Sequence, residues 1–255
     1  MGKRQSKYIV FLEEIKRLHQ EGLTNAEISR TINVDSRRIS DMLKKNGIEK
    51  NIKELILKPN ETQKQIILGT IIGDGCLFKD KHGKNYRMNL AHCLKQRDYF
   101  LMKYEIIKEL ILSDAKEKTE YDKRTCKNYY SIGFQSKSAP YYTNLYGIWY
   151  KNKKKIIPLK EIEKMESLGL AIKYFDDGNK IRKTGQIAMN DYDIESIENF
   201  RQVVYKKFNV ATTLQSEKTV YIPVKEFITF KEIILPHATT DVLYKLGELL
   251  ETPNV

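Results

Sequence analysis

Cysteine is scarce in this 255-residue chain: there are three, none in a CxxC pair. An odd, scattered set (Cys76, Cys93, Cys126) supports neither a disulfide framework nor a cysteine zinc site. Histidine is nearly as rare. The four (His19, His82, His92, His237) make no HxxxH or His-Asn-His cluster, so they are expected on surfaces or in turns rather than on a metal. No long hydrophobic run exists. The longest nearly apolar stretch, Ile66 to Gly73, is far short of the ~20 residues a membrane span needs. The opening MGKRQSKYIVFLEEIK has a short apolar run stopped by two glutamates, which excludes a secretory signal peptide. Gly73-Asp74-Gly75 is not a GxGxxG dinucleotide loop. Acid is the minority charge: 33 Asp and Glu against 45 Lys and Arg leave a formal charge of +12.

What is present supports a packed core. Hydrophobic residues make up 41% and aromatics 10%, which argues against global disorder. The length fits one or two domains. The expected protein is intracellular (cytoplasm, nucleoid or organelle matrix), away from membranes, with an anionic partner. A Lys-rich proteome would give the same net charge, so charge alone does not decide between the two.

The first 58 residues read as all-helical, with 13 basic against 8 acidic side chains. Ile9, Leu12, Ile15 and Leu18 recur at helical spacing. Thr24 and Glu27 form a capping box ahead of a second helix whose Ala26, Ile28 and Ile32 should face a core. Asn33-Val34-Asp35 makes a short turn. Asp35 or Ser36 caps a third helix carrying Ile39 and Leu43, and Asn46-Gly47 ends it. This pattern of Gly22, Leu23, Thr24, Glu27, Ile28, Val34, Ser36, Ile39, Leu43, Lys44 and Gly47 resembles the helix-turn-helix of bacterial resolvases and regulators. It implies a DNA-binding domain over residues 1–50. Ser36, Arg37, Arg38 and Ser40 would lie on the solvent face of the third helix, its N-terminal end aimed at base edges, and Lys44 or Lys45 would meet a phosphate. A helical bundle without a ligand would show the same apolar spacing. Residues 51–60 read as a linker punctuated by Pro59-Asn60.

From Glu61 onward the chain alternates helix and strand twice in the same order. The first half (61–150) predicts a helix through QKQIILGTIIGDG, strands at 76–80 and 85–92, a helix from Gln96 to Leu112, two strands within 121–135, and a helix from Ala139 to Tyr150. A basic connector covers 151–158. The second half (159–255) predicts a helix from Lys160 to Asp177, strands within 179–189, a helix from Ile194 to Phe208, strands within 211–220, a helix over 224–234 and a last one near 241–250. The fold class is α+β: a pseudo-twofold pair of αββαββα halves plus a small all-α unit.

Two segments align on their last carboxylate. Leu68-Gly69-Thr70-Ile71-Ile72-Gly73-Asp74-Gly75 matches Ala171-Ile172-Lys173-Tyr174-Phe175-Asp176-Asp177-Gly178, 103 residues later. Each is an apolar helix ending in an acid and a glycine. Helices packed side by side need small residues, which Gly69, Gly73, Gly169 and Ala171 provide. The carboxylates at the two ends would then meet, and their repulsion calls for divalent cations between them. Glycine after each acid lets the chain leave the helix. An acid at a helix C-terminus opposes the macrodipole, so two surface caps are a poor account of the pair.

These motifs resemble the LAGLIDADG homing endonucleases in their single-chain, two-motif form, and especially the yeast mitochondrial intron-encoded type. Lys154-Lys155-Ile156-Ile157-Pro158 and Val242-Leu243-Tyr244-Lys245-Leu246 also match that pattern, and the likeness spans roughly residues 61–250. Ile172, standing where the first motif has Gly69, and the added N-terminal unit depart from it. The resemblance implies a monomeric, Mg²⁺- or Mn²⁺-dependent nuclease of a mobile element. Such an enzyme makes a staggered double-strand break across the minor groove of a long DNA site. Asp74 and Asp177 would bind metal, helped by the main-chain carbonyls of Gly73 and Asp176. Lys155 and Lys245 would polarise water or stabilise developing charge.

The strands would form a saddle in the major groove, with alternate residues facing DNA. Arg87, Asn89, Ser131 and Gln135 qualify in the first half. Lys180, Arg182, Gln186, Asn190, Thr213 and Gln215 qualify in the second. Lys79, Lys81, Lys84, Lys123, Arg124, Lys127, Lys151, Lys153 and Lys154 fit phosphates. An ordinary solvated sheet face would alternate in the same way. Trp149 with Tyr141, Tyr142, Tyr146 and Tyr150 fits core packing rather than base stacking. Two other functions use the same chain: a transcriptional regulator built on a LAGLIDADG-derived domain, and a maturase acting on structured intron RNA.

Overall fold

The computed structural model describes residues 3–49, 55–215 and 218–247, with side chains from residue 11 onward. Ile9 and the end of the helix expected near 241–250 lie outside the described side chains. The chain divides into two compact units, Met1–Leu55 and Ile56–Val255. No described helix is long and apolar enough to cross a membrane.

The smaller unit holds α1 (Lys3–Gln20), α2 (Asn25–Ile32) and α3 (Ser36–Lys45). Thr24 caps α2, and its hydroxyl and Glu27 satisfy each other's backbone partners. Asn33 takes a left-handed conformation (φ 53°) and ends α2, so α3 starts three residues later. Asp35 is the cap of α3, its carboxylate accepting from the N–H groups of Arg37 and Arg38. Ile15, Leu18, Ile28, Ile39, Met42 and Leu43 form the core. Ala26 is exposed and takes no part in it. Two residues before the buried Ile28, it lies about 200° around α2, on the opposite face.

The larger unit begins with α4 (Glu61–Ile72), which leads into β1 (Cys76–Phe78), β2 (Arg87–Cys93), α5 (Arg97–Ile107), β3 (Lys116–Asp122), β4 (Lys127–Gln135) and α6 (Pro140–Trp149). The connector carries a small hairpin, β5 (Tyr150–Lys151) with β6 (Lys154–Lys155). Then come α7 (Leu159–Ile162), α8 (Ser167–Asp177), β7 (Gly178–Ile181), β8 (Thr184–Ala188), α9 (Ile194–Phe208), β9 (Thr213–Gln215), β10 (Thr219–Ile222) and α10 (Val224–Ile234). The two sheets repeat one order, β1-β2-β4-β3 and β7-β8-β10-β9. A single core joins both halves around α4 and α8.

The expected helix from Lys160 to Asp177 is broken between α7 and α8. The break frees backbone groups inside the protein, and the buried side chain of Gln65 takes them up. Its Nε2 donates to the Lys164 carbonyl (2.9 Å), and its Oε1 accepts from the Glu166 N–H (2.8 Å). The last segment, Thr240–Leu246, is a 3₁₀ helix. Strand β3 starts five residues earlier than the sequence pattern places it, because Lys116 to Asp122 are exposed on both faces but for a half-buried Asp122, and so show no apolar alternation.

Candidate functional site

The site sits where α4 and α8 end. From Gln65 to Ile72 every residue of α4 is buried, as befits a helix apolar on all sides. The two helices approach through complementary positions. A Cβ built on Gly69 would lie 2.6 Å from Ile172 Cβ, and one on Gly73 would fall against the Asp176 carboxylate. Ile172 and Asp176 are thus the larger partners of the two glycines. This is how the packing absorbs Ile172 at a position where the first motif has glycine. Gly75 and Gly178 follow the acids for a different reason from the one expected. Neither adopts a positive φ, and a Cβ on either would meet the last turn of its own helix, at Thr70 or Tyr174.

Asp74 and Asp177 both open toward solvent, with side chains 40% and 26% exposed. The Asp74 carboxyl is pushed up to about 6, first by burial of its inner side and then by the charges of Asp176 and Asp177. The charges of Asp176 and Asp177 thus both act on Asp74, and the carboxylate with a ligand atom within 4.8 Å of its own is Asp176. Asp176 itself is fully buried. Its Oδ2 accepts the Asp74 N–H (3.0 Å), and its Oδ1 accepts Tyr99 Oη–H (2.7 Å) and Lys103 Nζ (2.9 Å). Burial pushes Asp176 up, but the Lys103 ammonium and these hydrogen bonds outweigh it and hold the group low.

The two lysines singled out in the sequence occupy matching places. Lys155 Nζ donates to the Gly73 carbonyl (2.8 Å), and Lys245 Nζ donates to the carbonyls of Asp176 (2.9 Å) and Phe175 (2.6 Å). Each cation caps the negative end of a motif helix. Burial lowers both pKa values, and Lys173 lowers that of Lys155 further. The carbonyls of Gly73 and Asp176 thus already accept a lysine, with one lone pair each remaining.

Sequence reasoning missed four residues here. Lys173 is 1% exposed, yet its ammonium reaches Asp177 Oδ2 at 2.7 Å. Lys103 and Tyr99, on α5, hold Asp176. His92 corrects the expectation of a surface histidine: its side chain is 1% exposed, with Nδ1 3.4 Å from Asp74 Oδ2 and Nε2 3.7 Å from Asp176 Oδ1. Burial, and next the Lys103 charge, lower its pKa to about 3, so the ring is neutral at pH 7. A signal was available: His92 stands on the core-facing row of β2 with Met88 and Leu90. Ligand atoms of Asp74, His92 and Asp176 lie within 4.8 Å of one another. A solvent-open carboxylate of raised pKa, 3.4 Å from a nitrogen of a buried, neutral imidazole, fits a divalent cation.

On the first sheet, Arg87, Asn89, Ser131 and Gln135 share the outer face. Arg87 is held by Asp80 (2.5 Å) and Gln135 (3.4 Å). Cross-strand register adds Lys116, opposite Gly133, and Lys118, opposite Ser131. With Asn89, Ala91, Ser131 and Gln135 they line one groove. On the second sheet Gln186 and Thr213 share a face with Asn179 and Tyr221, and Gln215 shares it with Thr219. Arg182 is in the β7–β8 turn, and Asn190 is exposed just after β8. Lys180 departs from the set. It pairs with Gly185, on the opposite row, and its side chain lies against Gly247. Lys79, Lys81, Lys153 and Lys154 are exposed, as are Arg37, Arg38 and Lys44 in the smaller unit, while Ser36 is half-buried. Tyr86, Tyr146 and Tyr150 stack in a file, with centroids 3.9 and 4.6 Å apart.

Several known proteins resemble this chain over most of its length. The chain is 25% identical over 210 residues to the DNA endonuclease I-ChuI of Chlamydomonas applanata, covering 74% of this chain and 95% of that one. It is 23% identical over 194 residues to the cytochrome b mRNA maturase bI2 of Debaryomyces hansenii, covering 73% and 74%. Its fold resembles that of the homing endonuclease I-WcaI bound to its DNA recognition sequence, with a TM-score of 0.67 and 20% identity over 75% of this chain and 88% of that one. Residues 64–230 match the model of the LAGLIDADG DNA endonuclease family, and by that match, over both acid-bearing helices and both sheets, the chain belongs to that family.

Proposed function

We propose that this DNA endonuclease makes a staggered double-strand break at one long site, with Asp74 and Asp177 as the metal-holding acids and Mg²⁺ or Mn²⁺ as the ion. The observation that carries this reading is the solvent-open Asp74 carboxyl, raised to about 6 beside two further carboxylates at the junction of two helix ends. A bound divalent cation supplies Lewis acidity and a more acidic water for phosphodiester hydrolysis. The chain's own residues do the rest. Asp74 and Asp177 would hold the ion at the paired helix ends. Lys155 and Lys245 hold the helix ends and place positive charge next to the developing oxyanions. Residues 61–150 and 159–255 act as two unequal halves joined by 151–158, each reading half of an asymmetric site through its outer sheet face. Lys79, Lys81, Lys153 and Lys154 bind phosphates. Arg87, Asn89, Ser131, Gln135, Arg182, Gln186, Asn190, Thr213 and Gln215 face the bases.

In this reading residues 1–50 are a second DNA-reading module, tethered through 51–60, with Arg37 and Arg38 at the capped start of α3 aimed at base edges and Lys44 at phosphate. A second function, splicing support for an intron RNA, is favoured by the likeness to a bI2 maturase.

The deciding experiment incubates a plasmid carrying the native insertion site with Mg²⁺ and protein. The expected result is a linear product from wild type and none from Asp74→Asn or Asp177→Asn. Unchanged cutting by either variant removes the assignment of the acids. No cutting, with retained specific duplex binding, points to a regulator. Preference for the structured intron transcript over duplex points to the maturase.

A further inference from the structure

We propose that the first half of the active site is a mixed nitrogen–oxygen metal site: His92 Nδ1 and Asp74 Oδ2 are the protein ligands, Asp176 orients the imidazole, and a divalent transition ion is preferred over Mg²⁺. The proposal rests on the reading of Asp74 as a metal-binding acid and deepens it.

Three observations point the same way. First, His92 is buried without satisfaction. Its side chain is 1% exposed, yet among the described residues Nε2 finds no hydrogen-bond partner. An unpaired buried polar group costs free energy, so the ring's one proton belongs on Nε2, toward Asp176 Oδ1 at 3.7 Å, and the lone pair on Nδ1 then faces the Asp74 carboxylate, an arrangement that calls for a cation between them. The ring is fixed in place by Tyr99 (centroids 5.2 Å apart) and by the edge contact with Phe100 (6.3 Å). Second, the donor spacing suits one ion. Nδ1 stands 3.4 Å from Asp74 Oδ2. Two cis ligands, each about 2.1 Å from an octahedral ion, are separated by about 3 Å. Third, Asp176 is placed as an outer carboxylate rather than a ligand. Its oxygens are taken by Tyr99, Lys103 and the Asp74 N–H, while Oδ1 also stands 3.7 Å behind His92 Nε2. At 3.7 Å this is a charge contact and not a hydrogen bond, yet it favours the proton on Nε2, the tautomer that leaves Nδ1 free to bind.

The other half has no counterpart. In β1–β2 the residue two after Asp74 pairs with Asn89, and in β7–β8 the residue two after Asp177 pairs with Gln186. Three positions further along are His92 and the buried Met189, respectively. Asp177 instead carries the Lys173 ammonium. The first half therefore offers nitrogen and oxygen, and the second offers oxygen with a cation already on it. A nitrogen donor raises affinity along the series from Mn²⁺ through Co²⁺ and Ni²⁺, whereas Mg²⁺ prefers oxygen.

The test uses untagged, full-length protein without DNA, with Co²⁺ as the probe. Calorimetry and visible absorption follow wild type, His92→Gln and Asp74→Asn, and proton NMR follows Co²⁺-shifted exchangeable signals. Wild type should show a shifted imidazole N–H near the Tyr99 ring. His92→Gln should lose that signal and weaken Co²⁺ by about tenfold or more, while Mg²⁺ competition changes by less than about threefold. An unchanged Co²⁺ isotherm in His92→Gln overturns the proposal. If Asp74→Asn abolishes Co²⁺ binding and His92→Gln does not, the acid assignment stands and the histidine ligand fails. If neither matters, both fail. Should His92→Gln not fold, the wild-type spectrum decides: a shifted N–H without contact to Tyr99 sinks the idea.

Discussion

Four residues before Asp74 the first motif carries Thr70, and four residues before Asp177 the second carries Lys173. Both side chains are buried. Among the described residues the Thr70 hydroxyl finds no partner, whereas the Lys173 ammonium pairs with the acid one turn later. Immediately before the acids the contrast reverses, with Gly73 in one half and Asp176 in the other. The first half thus concentrates negative charge and a buried imidazole around Asp74. The second places a built-in cation on Asp177 and sends its extra carboxylate across the helix pair into the first. A repeated chain path does not imply a repeated electrostatic site. Two halves that share one strand order can hold their cations with different strength.

The largest effect that would break this comparison concerns the acids themselves. Asp74→Asn and Asp177→Asn should each lower double-strand cutting by about three orders of magnitude, the several kcal/mol that a metal contributes. The accumulated nicked plasmid should differ between them, since each disables one strand. Equal nicking of the same strand by both would mean that the halves do not act separately.

Next in size is the helix seam. Gly69→Ala should cost about 2–3 kcal/mol in urea unfolding, because the new methyl meets Ile172 Cβ. Adding Ile172→Ala should recover part of that loss. A neutral Gly69→Ala would show that the helices can slide apart.

Lys173→Met tests the asymmetry directly. With the ammonium gone, Asp177 should bind a divalent ion about tenfold more tightly, read by calorimetry in an Asp74→Asn background. The two strand-cutting rates should then converge. Weaker binding would show that Lys173 positions Asp177 rather than competing for it.

A smaller effect concerns the metal-free protein. Asp74 titrates at about 6 when folded, against 3.8 ordinarily. The folded form therefore takes up this proton first as the pH falls, so the stability due to this group rises from pH 7 through 6 and levels off near 4. Asp74→Asn should stabilise the metal-free protein at pH 7 by about 1 kcal/mol once solvent screening of the half-open side chain is allowed for. Thermal melts across that pH range read both.

The motif pair, the two αββαββα paths and the capped helices of the first unit were legible because each is a local pattern. Apolar periodicity, Thr24 with Glu27, and acid followed by glycine need no knowledge of the far chain. The break between α7 and α8 was not legible. It depends on Gln65, about 100 residues away, satisfying backbone groups that the local pattern would have kept in a helix. Lys116 and Lys118 were missed because β3 lacks apolar alternation, and only its pairing with β4 puts them on the groove face. Lys180 was misread by one register step, which in a strand reverses the face.

The sequence by itself determined that two acids would terminate two buried helices, since small residues and apolar runs at fixed spacing permit few other packings. Only the tertiary structure decided what surrounds those acids. Lys103, Tyr99 and His92 come from elements whose own periodicity marks them merely as inward-facing. Whether an inward-facing polar side chain is a buried liability or part of a site depends on which charge lies opposite, and that is fixed by the pairing of distant segments.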